Sequence, residues 1–174
     1  MVAPSQAMVE LHDRALACLR DDACRLIHVV TRAASRKATL QTLRGLELSP
    51  HAPGPFVELS TPHAAGAPGW DVRADTLRGA YAVRREAIAL EANPDPWPEL
   101  PPRPTTGGLA GFAAQLGQVL AGTPGGRPWV VILAPTHVGL VPHWARAIAM
   151  LLDGSDLGAV RWVVVDVNER TLGD

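Results

Sequence analysis

The chain has 174 residues, with 16 Lys+Arg against 17 Asp+Glu and a formal charge of -1. That length suits one domain spanning 1–174, and a composition 47% hydrophobic and 19% charged supports a real core and argues against disorder. The even charge argues against a nucleic-acid binder and against an anionic-membrane binder, both of which need a clustered positive field.

Two cysteines, Cys18 and Cys24, are too few for a disulfide framework or a zinc site by themselves. They read as reduced thiols near an element boundary. No stretch reaches the roughly 18 to 20 apolar residues of a membrane span. The N-terminus lacks a basic region followed by an apolar run, so a cytoplasmic location is expected. The abundance of Ala, Gly, Pro and Arg fits a GC-rich, bacterial genome.

Residues 5–20 read as an N-terminal helix capped by Ser5, with Met8, His12, Ala15, Leu16 and Leu19 at helical spacing. Cys24 to Val30 is a mostly apolar run without alternation, which suits a strand buried on both faces. His28 inside it reads as a satisfied core histidine. Ala34 to Leu48 reads as a second helix, stopped by Ser49-Pro50. Phe56 to Leu59 is a second strand, followed by a Pro/Gly-rich turn from Pro62 to Gly69. Asp71 can cap a long helix to about Glu91. Its arginines (Arg73, Arg78, Arg84, Arg85) are matched by Asp71, Asp75, Glu86 and Glu91, which suggests a solvated face.

Residues 93–107 form a proline-rich loop, expected to be extended. Leu109, Phe112, Ala113, Leu116 and Leu120 then mark an amphipathic helix. Trp129 to Leu133 is a third strand. Pro142 can open a helix carrying Trp144, Ile148, Leu151 and Leu152, and Val160 to Val165 is a fourth strand. Strands alternating with helices predict a three-layer α/β fold, a short, mainly parallel four-stranded sheet with helices on both faces. The runs V-V-I-L and W-V-V-V need that cover.

Ligands of such sheets bind beyond the carboxyl ends of the strands. That rule selects Thr31 to Thr39 after strand one, Ser60, Thr61 and His63 after strand two, Thr136 and His137 after strand three, and Asp166 and Asn168 after strand four. A crevice of His63, His137, Asp166 and Asn168 has side chains suited to acid–base or metal chemistry. Their spacing matches no metal or catalytic motif, so no catalytic residue, metal or cofactor is expected.

The segment T-R-A-A-S-R-K-A-T, Thr31 to Thr39, lies between a strand and a helix. With the element order over about residues 20–168, it resembles a degenerate P-loop NTPase core of the AAA+/STAND type. The resemblance puts Lys37 in the place of the phosphate-contacting lysine. Thr39 falls one residue beyond the usual hydroxyl, which is Ala38 here, and Thr31 and Arg36 stand where the family has glycines. Glycines let backbone N–H groups wrap phosphate, and Cβ atoms obstruct this. Strand three ends in Ala134-Pro135 instead of the family's acidic pair, and Asn168 falls where the family has a polar sensor. The resemblance therefore implies nucleotide contacts at Thr31, Ser35, Lys37 and Thr39 without hydrolysis.

The first expectation is a non-catalytic protein-interaction or regulatory module, binding another protein or itself within a larger assembly. A nucleotide-binding regulatory domain comes second, and a small enzyme using the His/Asp crevice third. Trp70, Trp97 and Arg103 are the candidate partner contacts. Arg103 closes a P-x-x-P-x-R pattern, Pro98 to Arg103.

Overall fold

A computed structural model describes residues 5–64, 68–91, 96–168 and 171–172. Four strands form one all-parallel sheet: β1 (Leu26–Thr31), β2 (Phe56–Leu59), β3 (Val130–Leu133) and β4 (Arg161–Val167), in the order β1-β4-β3-β2. The helices are α1 (Gln6–Arg20), α2 (Arg36–Gly45), α3 (Trp70–Ala89), α4 (Gly108–Gly122) and α5 (Val141–Asp153). Short 3-10 turns at Ala33–Ser35 and Leu46–Leu48 flank α2, which shortens the helix expected from Ala34 to Leu48. The four strands otherwise fall within two residues of the apolar runs that announced them.

The central strands β3 and β4 are apolar on both faces because both faces are covered. Val131, Leu133, Trp162 and Val164 point into a core made with α3, α4 and α5. Val130, Ile132, Val163 and Val165 point the other way, into a core made with α1 and α2. The path from β1 to β2 crosses the whole sheet through α2. The returns to β3 and β4 run back through α3, α4 and α5 on the opposite face. A reversal of direction must change face if every crossover keeps one hand. No helix among the described residues is long and apolar enough to cross a membrane.

Three local expectations are corrected. Asp71 does not cap α3. Gly69, at φ 70°, holds that place, and the Asp71 carboxylate instead accepts from the Gly108 N–H at 3.0 Å, opening α4. The arginines of α3 are not one solvated face. Arg73 is fully buried, while Arg84 donates to the Phe56 carbonyl and pairs with Glu47. Arg78 reaches Gln115 and the Leu100 carbonyl. The cysteines are not separate thiols. The turn after α1 brings the Cα atoms of Cys18 and Cys24 to 5.5 Å, and the two are bridged.

The bridge ties the end of α1 to the entry of β1 across a sequence separation of 6. Chain-entropy arguments for so short a loop give about 2 kcal/mol. Thermal melts of the oxidised chain should therefore exceed those of Cys18→Ser by that amount, and a reductant should lower only the wild type.

Part of the proline-rich loop, residues 93–95, lies outside the described residues, as do 65–67 of the turn before α3. From residue 96 onward the loop is stapled to α3 and α4. The Tyr81 hydroxyl donates to the Pro98 carbonyl at 2.9 Å. Gln118 donates to the Pro102 carbonyl at 3.2 Å. Arg103 pairs with Asp75 at 2.7 Å. Trp97 packs half-buried against Tyr81 and Trp129, with centroids at 5.1 and 6.3 Å.

On β2, Glu58 lies mostly buried beside α2. Burial pushes its carboxyl up, but hydrogen bonds from Arg44 (2.6 Å) and Ser60 (2.5 Å), with the Arg44 and Arg36 charges, outweigh that and hold it below the usual range. A depressed carboxylate stabilises the fold above its unfolded value of 4.5 and loses that contribution as pH falls through its folded value. Urea melts from pH 3 to 7 should show Glu58→Gln about 1 kcal/mol less stable at neutral pH. Its deficit should shrink on acidification.

Candidate functional site: the crevice beyond β3 and β4

The carboxyl ends of β1, β4 and β3 open where the chain leaves for opposite faces, after β1 to α2 and after β3 to α5. This is the position at which parallel sheets leave a crevice. A cavity of about 270 Å³ lies there. Thr136, His137, Asp166 and Thr171 form its polar wall, and Pro135 and Val138 its apolar one.

Asp166 is the structural centre of this wall. Its side chain points to the α5 side of β4 and is only 3% exposed as a residue. It accepts from the Thr171 N–H at 2.8 Å, and the Thr171 hydroxyl lies 2.8 and 2.7 Å from its two oxygens. His28 Nε2, on the neighbouring strand, is 2.6 Å away. The ladder places His28 opposite Val164, two residues before Asp166, so both side chains emerge on the same face. The carboxylate holds the imidazole in one orientation and ties Thr171 back over the sheet.

The connectivity limits the chemistry. In a nucleophilic triad the histidine stands between the hydroxyl and the carboxylate. Here the carboxylate stands in the middle, and the Thr171 hydroxyl bonds to Asp166 instead of to His28. Three groups, the Thr171 N–H, the Thr171 hydroxyl and His28 Nε2, engage the Asp166 carboxylate. No group of three His, Cys, Asp or Glu among the described residues could hold a metal ion.

The structure brings His137 and Asp166 to one cavity but sends the His63 ring elsewhere. His63 and His137 meet through their backbones, the His63 N–H donating to the His137 carbonyl at 2.8 Å. The His63 ring turns under α3 and α5, 5.1 Å from Trp144 and 6.0 Å from Trp70. Burial lowers its basicity, with the Arg73 charge adding to this. Asn168, at φ 68°, closes β4 against the β1 loop. Its N–H donates to the Thr31 carbonyl (2.8 Å), and its Oδ1 accepts from the Ala33 N–H (3.2 Å).

The segment after β1 is short. Thr31 ends the strand, Ser35 ends a 3-10 turn, and α2 starts at Arg36 with no side-chain cap. Thr39 is buried, its hydroxyl 2.9 Å from that of Thr31. Arg36 reaches across the crevice and donates to the Ala134 carbonyl at the end of β3 (2.6 Å). Lys37 is exposed in the first turn of α2. No residue from Thr31 to Thr39 has positive φ, so the backbone takes no glycine-type wrap here.

Of the candidate partner contacts, Trp70 is buried at 3% exposure and stacks on Trp144 at 5.8 Å. Arg103 is occupied by Asp71 and Asp75. Sequence reading missed His28 as the partner of Asp166, and also Thr171, Arg36 and Arg73. For Arg73 a signal was present, since it falls on the helical stripe of Trp70, Ala74, Leu77 and Tyr81. Comparison with protein-family models, curated proteins and solved structures finds no match to this chain.

Proposed function

We propose that this chain is a non-catalytic α/β domain that serves as a protein-interaction or regulatory module, with β1 as the docking edge. The observation that carries the reading is the state of that strand. β1 ends the sheet, its side chains are half-buried where those of β4 are buried, and Val30 is 43% exposed. The carbonyls of Arg25 and Thr31 accept from the N–H groups of Trp162, in β4, and Asn168, just after it. In a parallel ladder the alternate residues Leu26, His28 and Val30 then direct their backbone groups outward. An open edge of this kind is a template for another strand. The sealed Asp166 carboxylate favours this reading over an enzyme.

Size-exclusion chromatography with light scattering, joined to pull-down from the native host, tests it. Association that is lost in Val30→Lys, with an unchanged melting midpoint, supports the reading. A strict monomer with no partner overturns it.

The second reading is nucleotide binding without turnover. It is favoured by Lys37, exposed in the first turn of an uncapped helix beyond the carboxyl end of β1. Calorimetry with ATP, GTP and ADP tests it. Heat that disappears in Lys37→Ala supports the reading, and no heat and no thermal shift at about millimolar nucleotide ends it.

A further inference from the structure

A second cavity, of about 420 Å³, lies on the other side of the β3–α5 connection, between the N-terminal ends of α3 and α4 and the flank of α5. Trp70, Leu109 and Met150 give it apolar walls, and its polar groups are His63, His143 and Arg146. Among the described residues no carboxylate lines it. We propose that this cavity binds a small monocarboxylic acid with an apolar body, of about the size of octanoate.

The lining has two parts, and each selects one part of such a ligand. The apolar walls favour a hydrocarbon chain or ring, which gains by leaving water. Met150, 58% exposed, and Leu140, 37% exposed, stand wet at the mouth and would be covered by it. The polar part is wholly of the kind that meets an anion. Arg146 and His143 sit one turn apart on α5, both exposed, and Arg146 enters none of the ion pairs among the described residues. A guanidinium free at the rim of an apolar cleft is placed to take a carboxylate through two parallel hydrogen bonds.

The interior adds one unpaired polar atom at the inner wall. His63 is 4% exposed, and its Nδ1 has no hydrogen-bond partner among the described residues. A buried polar group left unpaired costs about 1–3 kcal/mol, and in the tautomer with Nδ1 protonated an entering carboxylate oxygen would remove that cost. Arg73, fully buried nearby, is bonded to the carbonyls of Pro68 and Thr61 and, among the described residues, to no carboxylate, so the charge behind the cavity wall is positive. Inorganic phosphate would satisfy the charges and leave the walls wet. An alcohol would fill the walls and leave the charges unmet.

The test titrates octanoate, octan-1-ol, octylammonium and inorganic phosphate into the whole chain. Calorimetry and tryptophan fluorescence report binding, Trp70 being in the wall. Octanoate is expected to saturate one site. Octanol and octylammonium should bind at least about tenfold more weakly, and phosphate should not bind. Arg146→Glu should weaken octanoate by at least about tenfold, and Arg146→Lys, which keeps the charge but loses the planar fork, should weaken it by less. Both should melt like the wild type without ligand, since Arg146 is exposed. Octanol binding as well as octanoate, no saturable octanoate binding, or Arg146→Glu binding unchanged would each overturn the proposal. None of these outcomes bears on the β1 edge.

Discussion

Arg73→Ala is expected to destabilise the fold by about 3–5 kcal/mol in urea melts, a large part of the stability of an ordinary domain. The residue is fully buried without a carboxylate, and burial lowers its pKa to about 10. A drop of that size corresponds to roughly 3 kcal/mol of penalty on the charge. The favourable interactions outweigh it. The guanidinium lies 4.7 Å from the Trp70 ring and 5.5 Å from that of Trp144, contacts worth about 2 kcal/mol when desolvated. It also donates to the carbonyls of Pro68 and Thr61, each of which costs about 1–3 kcal/mol if left unpaired. Alanine adds a cavity to these losses. Methionine keeps the volume and removes the charge, so Arg73→Met should cost less, about 2 kcal/mol.

The pH dependence separates this account from a simple ion pair. A base whose folded pKa is depressed gives a stability that rises only as pH climbs above about 10. Between about pH 5 and 9 the difference between wild type and Arg73→Ala should therefore be flat. Gly69 belongs to the same structure. A Cβ there would lie 2.5 Å from Thr61 Cγ2 and 2.9 Å from the Pro62 carbonyl oxygen. At φ 70° an L-residue is strained as well. Gly69→Ala should cost at least about 2 kcal/mol by the same melts.

The sheet was legible because nothing polar interrupts V-V-I-L or W-V-V-V, and such runs have one stable fate between helices. The parallel arrangement followed from the alternation of helices and strands. What stayed illegible depends on register and on rotation about helix axes. The pairing of His28 with Asp166 joins residues 138 apart in sequence, and no local pattern fixes that register. Counting charges along α3 suggested a solvated face, because a count ignores which side of the helix each arginine takes. Placing Arg73 on the stripe of Trp70, Leu77 and Tyr81 would have found it. A cap at Asp71 leaves Trp70 outside the helix and free for a partner. With Gly69 as the cap, in the left-handed conformation, the helix starts two residues earlier and the indole is buried. The crevice residues were half legible. The rule of strand carboxyl ends found His137 and Asp166, but the rule says nothing of which face a ring turns to, and His63 turned away.

Asp166→Ala should lower stability by about 3 kcal/mol and free the segment that follows β4. The carboxylate is buried and takes the Thr171 N–H, the Thr171 hydroxyl and His28 Nε2 within 2.6–2.8 Å. Removing it leaves several buried donors without an acceptor. Asp166→Asn keeps the shape but substitutes an amide N–H₂ for one acceptor oxygen, which must then face donors. It should cost about 2 kcal/mol. Hydrogen exchange at the Thr171 amide separates this account from a general loosening. If Asp166 is the anchor, that amide should lose protection in both variants while the β3 and β4 amides keep theirs down to the global limit. Leu172, which packs against the core, should become exposed with it. Equal loss of protection across the sheet would instead mean that Asp166 supports the strands themselves. Unchanged protection at Thr171 would mean that the segment is held by Leu172 alone.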